Sequence, residues 1–396
     1  MYDAVVIGAG PAGSQAAFGL SRLGYRVVVL EQKDSLAAPV CCTGIISREC
    51  VDSFAIDRSV ILRWLNSATV FAPSGEHLTI QRPEPQACVV DRSSLNVFLA
   101  SRARAQGAEY RLGCLARGIT VKGDRVRLEI AGQGSAIEAR AAIIAVGSAS
   151  RLVDGQLKAK IADTVTGAQV EVETTALDEV QVYLGRGIAP GFFAWLVPTL
   201  PGRALAGLMC RYRAGYNLRG FLAFLLAQGK IVSDDVTPGY KLMPLKPLPR
   251  TYAERLLVIG SAAGQVKPIT GGGIYYGLLA ADLAVNSLHR ALTDGDLSAR
   301  SLAVYQKDWK KKLDSEIKTG YRAHKFYQSL SDAQINRIFR IIKSGDIIPS
   351  LEQAEDLSFD WHGSVVLRLI GHQLLSKVLG AMKLSLPSVG GVKKSR

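Results

Sequence analysis

The sequence predicts an α/β fold: a parallel nucleotide-binding sheet, an antiparallel sheet laid over it, and a helical region towards the C-terminus. Three observations carry this. An apolar run, Tyr2–Ile7, leads into Gly8-x-Gly10-x-x-Gly13, a helical pattern from Ser14 to Leu23 and a second apolar run, Tyr25–Leu30. Between residues 164 and 247 the apolar positions recur with period two. After about residue 296 the pattern is helical and basic.

Each element has a physical reason. The first strand, glycine turn, helix and second strand form a Rossmann-type β-α-β unit. Gly8 makes the tight turn, Gly10 lets the backbone approach a pyrophosphate, and Gly13 lets the helix pack close to the sheet. Pro11 and Ala12 complete the turn, and the helix start offers free N–H groups to phosphate. Glu31, followed by Gln32, stands where a carboxylate accepts hydrogen bonds from a ribose. Residues 33–50 read as a loop, and residues 60–90 alternate as strands of another layer. Asp91 is placed to cap a helix that runs from Arg92 towards Gly107. Residues 109–146 read as strands, the last ending in a small-residue turn at Gly147.

The period-two region contains strands at Val165–Val172, Val180–Leu184, Phe192–Val197 and Ala204–Leu208, with a helix over 216–229. Leu256–Gly260 returns to the buried parallel-strand pattern, so the nucleotide domain is built from separated pieces. A second glycine-rich turn follows: Gly260-Ser261, then Pro268, then Gly271-Gly272-Gly273 opening a helix at Ile274. A helix start bared by glycines presents backbone N–H groups to an anionic edge. The expected division is a nucleotide domain from 1–60, 91–155 and 251–295, a substrate domain from 61–90 and 156–250, and a helical region from 296–396.

Composition narrows the class. The 396 residues are 48% hydrophobic and 21% charged, as in globular chains. The formal net charge of +14 favours an anionic partner. Residues 301–396 alone carry 16 Lys and Arg against 9 Asp and Glu. Six cysteines without a C-x-x-C pair and five scattered histidines outline no metal site. The expectation is a cytoplasmic protein without signal peptide or transmembrane helix, since a strand begins at once and no apolar run is long enough to span a bilayer. Basic charge without a binding motif or interleaved aromatics argues against nucleic acid.

Further motifs sharpen this. Cys42-Thr43-Gly44-Ile45-Ile46-Ser47 has the form C-x-G-x-x-S. Pro190 to Pro198 reads P-G-F-F-A-W-L-V-P, and the second turn reads G-Q-V-K-P-x-T-G-G-G-I-Y-Y-G. With the first fingerprint these resemble the FAD-binding flavoproteins of the aromatic-hydroxylase fold, and within them the geranylgeranyl reductase family. The resemblance covers most of residues 1–285 in the expected order. It implies a Rossmann-type FAD-binding domain, an antiparallel-sheet substrate domain, and hydride transfer from reduced flavin to C=C bonds of a polyprenyl chain.

By that resemblance FAD is held by Gly8, Gly10, Pro11, Ala12, Gly13, Glu31, Gln32, Cys42, Thr43, Gly44, Arg92, Gly147, Gly260, Ser261 and Gly271 to Ile274. Cys42 and the helix start at Gly272-Gly273 take the catalytic places beside the flavin ring. Phe192, Phe193, Trp195, Pro198 and Tyr276 are expected to line the prenyl pocket. Two places depart from the family pattern: Ser261 stands where an aspartate is usual, and Phe193 and Val197 replace tyrosine and phenylalanine. Expected partners are a polyprenyl lipid or prenyl diphosphate, with NADPH or a ferredoxin as electron donor. The segment 365–384, apolar with spaced cations, suggests a peripheral contact with the inner face of a membrane. The competing readings are an NAD(P)H-dependent FAD monooxygenase or epoxidase, and a non-catalytic flavin- or lipid-binding protein.

Overall fold

A computed structural model describes residues 1–344 except 133–135, 149–150 and 158, together with 349, 352 and 359–361. The segment 365–384 lies outside the described residues.

Among the described residues one sheet has the strand order Tyr252–Ala253, Leu256–Val258, Ile137–Ile144, Tyr2–Ile7, Val27–Leu30, Glu109–Arg111. Its central pairings are parallel: Val5 lies beside Ala142 and Val28, and Ala142 beside Leu256. Side chains on both faces of these strands are buried, which is why they read as unbroken apolar runs. Helix Pro11–Arg22 packs against helix Ile274–Asp294 and helix Arg92–Ala105 on one face. Asp91 caps the last of these by accepting from the Ser94 N–H.

A second sheet has the order Gly239–Pro244, Thr164–Glu173, Arg203–Cys210, Phe193–Pro198, Val180–Leu184, Ser67–Phe71, His77–Gln81. It is antiparallel apart from one pair, Val180–Leu184 beside Ser67–Phe71, which is parallel. That exception joins strands more than a hundred residues apart, a pairing that local periodicity does not encode. Helix Ala214–Ala227 covers the face opposite the first sheet, burying Leu218, Phe221, Leu222 and Leu225 on Ala168, Val170, Ala206 and Leu208.

The expected loop over 33–50 needs correction. Ile45–Ser47 is a strand and Arg48–Ser53 a short helix capped by Ser47. Three residues are too few to show a period; the strand exists because Ala87–Val90 pairs with it, and Ile61–Leu65 closes that small third sheet. The first helix also begins at Pro11 rather than Ser14, since proline suits the first helical turn. Two helices, Ala299–Ser329 and Asp332–Ser344, complete the described fold.

A candidate flavin and substrate cavity

The sheets enclose one continuous cavity of about 1450 Å³. This exceeds the usual pocket for a single small ligand, about 300–1,000 Å³. One end is the glycine turn. Gly8 has φ +104°, and a Cβ there would lie 2.5 Å from the Ala145 carbonyl oxygen. A Cβ at Gly13 would lie 1.9 Å from the Gly8 oxygen, so the helix can approach only without a side chain. Gly10 is different: a Cβ would meet no protein atom within 4 Å. Gly10 lines the cavity, so its bareness leaves room there and is not required by the packing of the described chain.

The helix that starts at Pro11 has no side-chain cap, and neither does the helix that starts at Ile274. Both starts line the cavity, so uncapped N–H groups converge there. Glu31 closes this end, accepting from the Ala9 N–H at 2.8 Å and the Lys33 N–H at 3.1 Å. The second turn is braced from behind: Gln265 accepts from the Gly260 N–H at 2.7 Å and donates to the Tyr305 hydroxyl at 2.8 Å. Lys267, also at the cavity wall, is neutralised by a buried ion pair with Asp360 at 2.6 Å.

Arg92 is 8% exposed and lines the cavity beside Gly44. Its Nη2 donates to Asn96 at 3.3 Å, while Nε and Nη1 have no hydrogen-bond partner among the described residues. Buried guanidinium donors without acceptors are costly, and a polar ligand resolves that cost. Cys42 is nearby. Burial pushes its thiol up, but the charges of Lys241 and Arg92 and a hydrogen bond from the Gly44 N–H outweigh this and hold it below its ordinary 9.0. Cys41 is pushed up by burial and by Cys42, with Lys241 opposing. Thr43 donates to Gln169 at 2.7 Å, tying this loop to the second sheet.

The other end of the cavity is the second sheet's inner face. Period two decides what reaches it. Phe193, Trp195 and Val197 face in, as do Val180 and Val182, Gly167 and Gln169, Lys241 and Met243. Trp195 lies directly over Gly207, where a Cβ would stand 2.5 Å from the indole ring.

Most expected site residues therefore line one cavity: Gly8, Gly10, Pro11, Ala12, Glu31, Gln32, Cys42, Thr43, Gly44, Arg92, Gly147, Gly260, Ser261, Gly271 to Ile274, Phe193 and Trp195. Gly13 lies behind it. Three expected pocket residues are placed elsewhere. Phe192 precedes the strand out of phase, buried and stacked on His324 at 4.2 Å. Pro198 shares the outward parity of Ala194 and Leu196. Tyr276 packs in the core behind the helix start, its hydroxyl donating to the Asp360 carbonyl at 3.0 Å. Lys241, Gln169, Met209 and Met243 line the cavity and were not singled out by the sequence. Alternation marked their strands without saying which parity faces in.

Residues 2–176 match the pyridine nucleotide-disulphide oxidoreductase family. Digeranylgeranylglycerophospholipid reductase of Methanocaldococcus jannaschii is 29% identical over 355 residues, covering 85% of this chain and 90% of that protein. The chain is thus similar to geranylgeranyl-type reductases. A geranylgeranyl bacteriochlorophyll reductase-like protein from Thermoplasma acidophilum has the same fold, with TM-score 0.84 and 22% identity over 96% of this chain and 98% of that one. The FAD complex of halogenase PltM shares the fold more loosely, with TM-score 0.69 and 13% identity over 98% of this chain and 93% of that one. With its match to an oxidoreductase family and to relatives named as reductases, the chain is an FAD-dependent oxidoreductase. The cavity fits that cofactor: bare Gly10, two uncapped helix starts, Glu31 and the unpartnered donors of Arg92.

Proposed function

We propose that this enzyme saturates isolated C=C bonds in a geranylgeranyl or related polyprenyl chain carried by a lipid. One observation carries the reading. An apolar lane crosses the inner face of the second sheet from Met209 through Trp195, Val182 and Val180 to Ala68 and Ile80, and it opens into the flavin end without a partition. Five adjacent strands at about 4.8 Å spacing make it roughly 19 Å long. That shape suits an extended hydrocarbon better than a compact aromatic ring. The name borne by the Methanocaldococcus relative supports the same substrate class.

Bound in its reduced form, FAD supplies the hydride. The chain's own residues do the rest. Uncapped N–H groups in the helix turn that follows Pro11, and at Gly273 and Ile274, bind the phosphates and the flavin's anionic edge. Arg92 supplies two further donors. Phe193 and Trp195 hold the alkene in a slot without water, which an unactivated double bond needs. Cys42 holds the proton for the second carbon at Sγ, with Lys241 and Arg92 easing its release. NADPH or a ferredoxin supplies electrons, and the basic balance of the chain suits either anion.

The test is anaerobic. The holoprotein is reduced with dithionite and mixed with digeranylgeranylglycerophospholipid. Return of the oxidised flavin spectrum with a lipid product heavier by pairs of hydrogens is the expected result. A flavin that stays reduced until oxygen is admitted overturns the reading and turns attention to oxygenation.

A further inference from the structure

We propose that the outer face of helix Ala214–Ala227, with Tyr212 and Tyr240 beside it, docks on an anionic phospholipid bilayer. The helix is apolar on both sides. Its inner face is buried on the second sheet. Around its outer face Tyr212 is 81% exposed, Tyr216 66%, Tyr240 55%, and Phe224 and Leu226 38% each. A helix apolar all round is normally covered by something. Tyrosines with an apolar ring and a polar tip, set among arginines, are the side chains that settle at a membrane–water interface.

Charge selects the occupant. Between Glu179 and Asp234 the chain carries six Lys and Arg and no Asp or Glu. Arg213 and Arg219 are exposed on this face. Arg203 and Arg211 of that stretch are paired with Glu171 and Asp163, and the exposed Arg213 and Arg219 are the charges that attract anionic headgroups. A second copy of the chain is a poor occupant, because a two-fold contact would bring the same arginines together. The backbone supports presentation: Arg213 caps the helix in the left-handed conformation, φ 54° and ψ 39°, which costs a non-glycine residue energy. Tyr212 projects beside that turn.

The surface also adjoins the cavity. On the edge strand Gly239–Pro244, Lys241 and Met243 line the cavity, while Tyr240 reaches over Gly215 at the start of the helix. One strand therefore separates the docking face from the proposed lipid site. Only the purpose of docking rests on the substrate reading; the surface itself does not.

The holoprotein is floated with vesicles of phosphatidylglycerol or of phosphatidylcholine. Co-flotation with phosphatidylglycerol alone, weakened by salt, is expected. The variant Tyr212→Ser/Tyr216→Ser/Arg219→Glu should bind about tenfold more weakly, with flavin content and Tm unchanged. A control of equal charge change on helix Ala299–Ser329, Lys310→Gln/Lys311→Gln, should lose less than about twofold. Equal losses in both variants would mean bulk charge and overturn the proposal. So would absence of binding by the unmodified chain, or an effect of the first variant on oligomeric state alone. Turnover of detergent-dispersed lipid by the same proteins keeps the readings apart: no turnover sinks the substrate assignment and leaves the vesicle result standing.

Discussion

At Cys42 a thiol shares its surroundings with Lys241, Arg92 and the Gly44 N–H, and their pull exceeds the push of burial. A thiol that donates a proton must carry one. Turnover should therefore be full below its folded-state pKa and fall as pH rises through it, with the alkaline limb below 9.0. Cys42→Ser should slow flavin reoxidation by lipid about a hundredfold or more and remove that limb, leaving the flavin spectrum intact. Lys241→Gln should move the limb upward. Rates measured from pH 6 to 10 distinguish these outcomes. The sequence pointed to Gly10 through a local motif with a mechanical reason, and to Cys42 and Arg92 through the family resemblance of the stretches that carry them. Lys241 had no such flag: a lysine in an alternating edge strand reads as a solvated side chain until the strand's neighbour is known.

Strand parity governs the element scale. Phe193 and Trp195 reach the cavity and Pro198 does not, because one register sorts them. The Trp195 ring depends on the bare backbone of Gly207. Gly207→Ala should cost roughly 1–3 kcal/mol by overpacking and shift tryptophan emission; an unchanged denaturation midpoint with unchanged emission would refute that dependence. A second junction fixes the long helix. Asp163 accepts from Arg211 at 2.6 Å and from the Tyr321 hydroxyl at 2.8 Å, tying helix Ala299–Ser329 to the sheet. Burial raises the Asp163 pKa, but these partners and the Lys325 charge lower it further than burial lifts it. The stabilisation is thus present above the ordinary 3.8 and lost as pH falls through the depressed value. Asp163→Asn should lower stability by about 1.5–3 kcal/mol at pH 7, a gap that closes in strong acid. Long periodic elements were legible in sequence. Ile45–Ser47 was not, since a three-residue strand owes its existence to its partner.

On the scale of the whole molecule, separated stretches of chain build the nucleotide sheet, and the parallel pair that joins residues 67–71 to 180–184 knits the second sheet across the same gap. The fingerprint, the second glycine turn and the change of period were enough to anticipate this architecture. The short strand Ile45–Ser47 and the parallel exception depended on contacts distant in sequence. Because the cavity touches every sheet, its ligand should stabilise them together. FAD at about a hundred times its Kd should add about 2.7 kcal/mol. Melting followed at Trp195 in the sheet and Trp309 in the helical core should rise by the same amount; a rise at one probe alone would mean the layers unfold independently.

The absence of a partition in the cavity has a consequence for the order of events. On the proposed reading, the lipid's berth lacks one wall until the flavin is bound. Cofactor loading is then part of building the substrate site, and binding should be sequential rather than random. Each ligand should tighten the other by the same factor, so a chain stripped of flavin should hold lipid loosely.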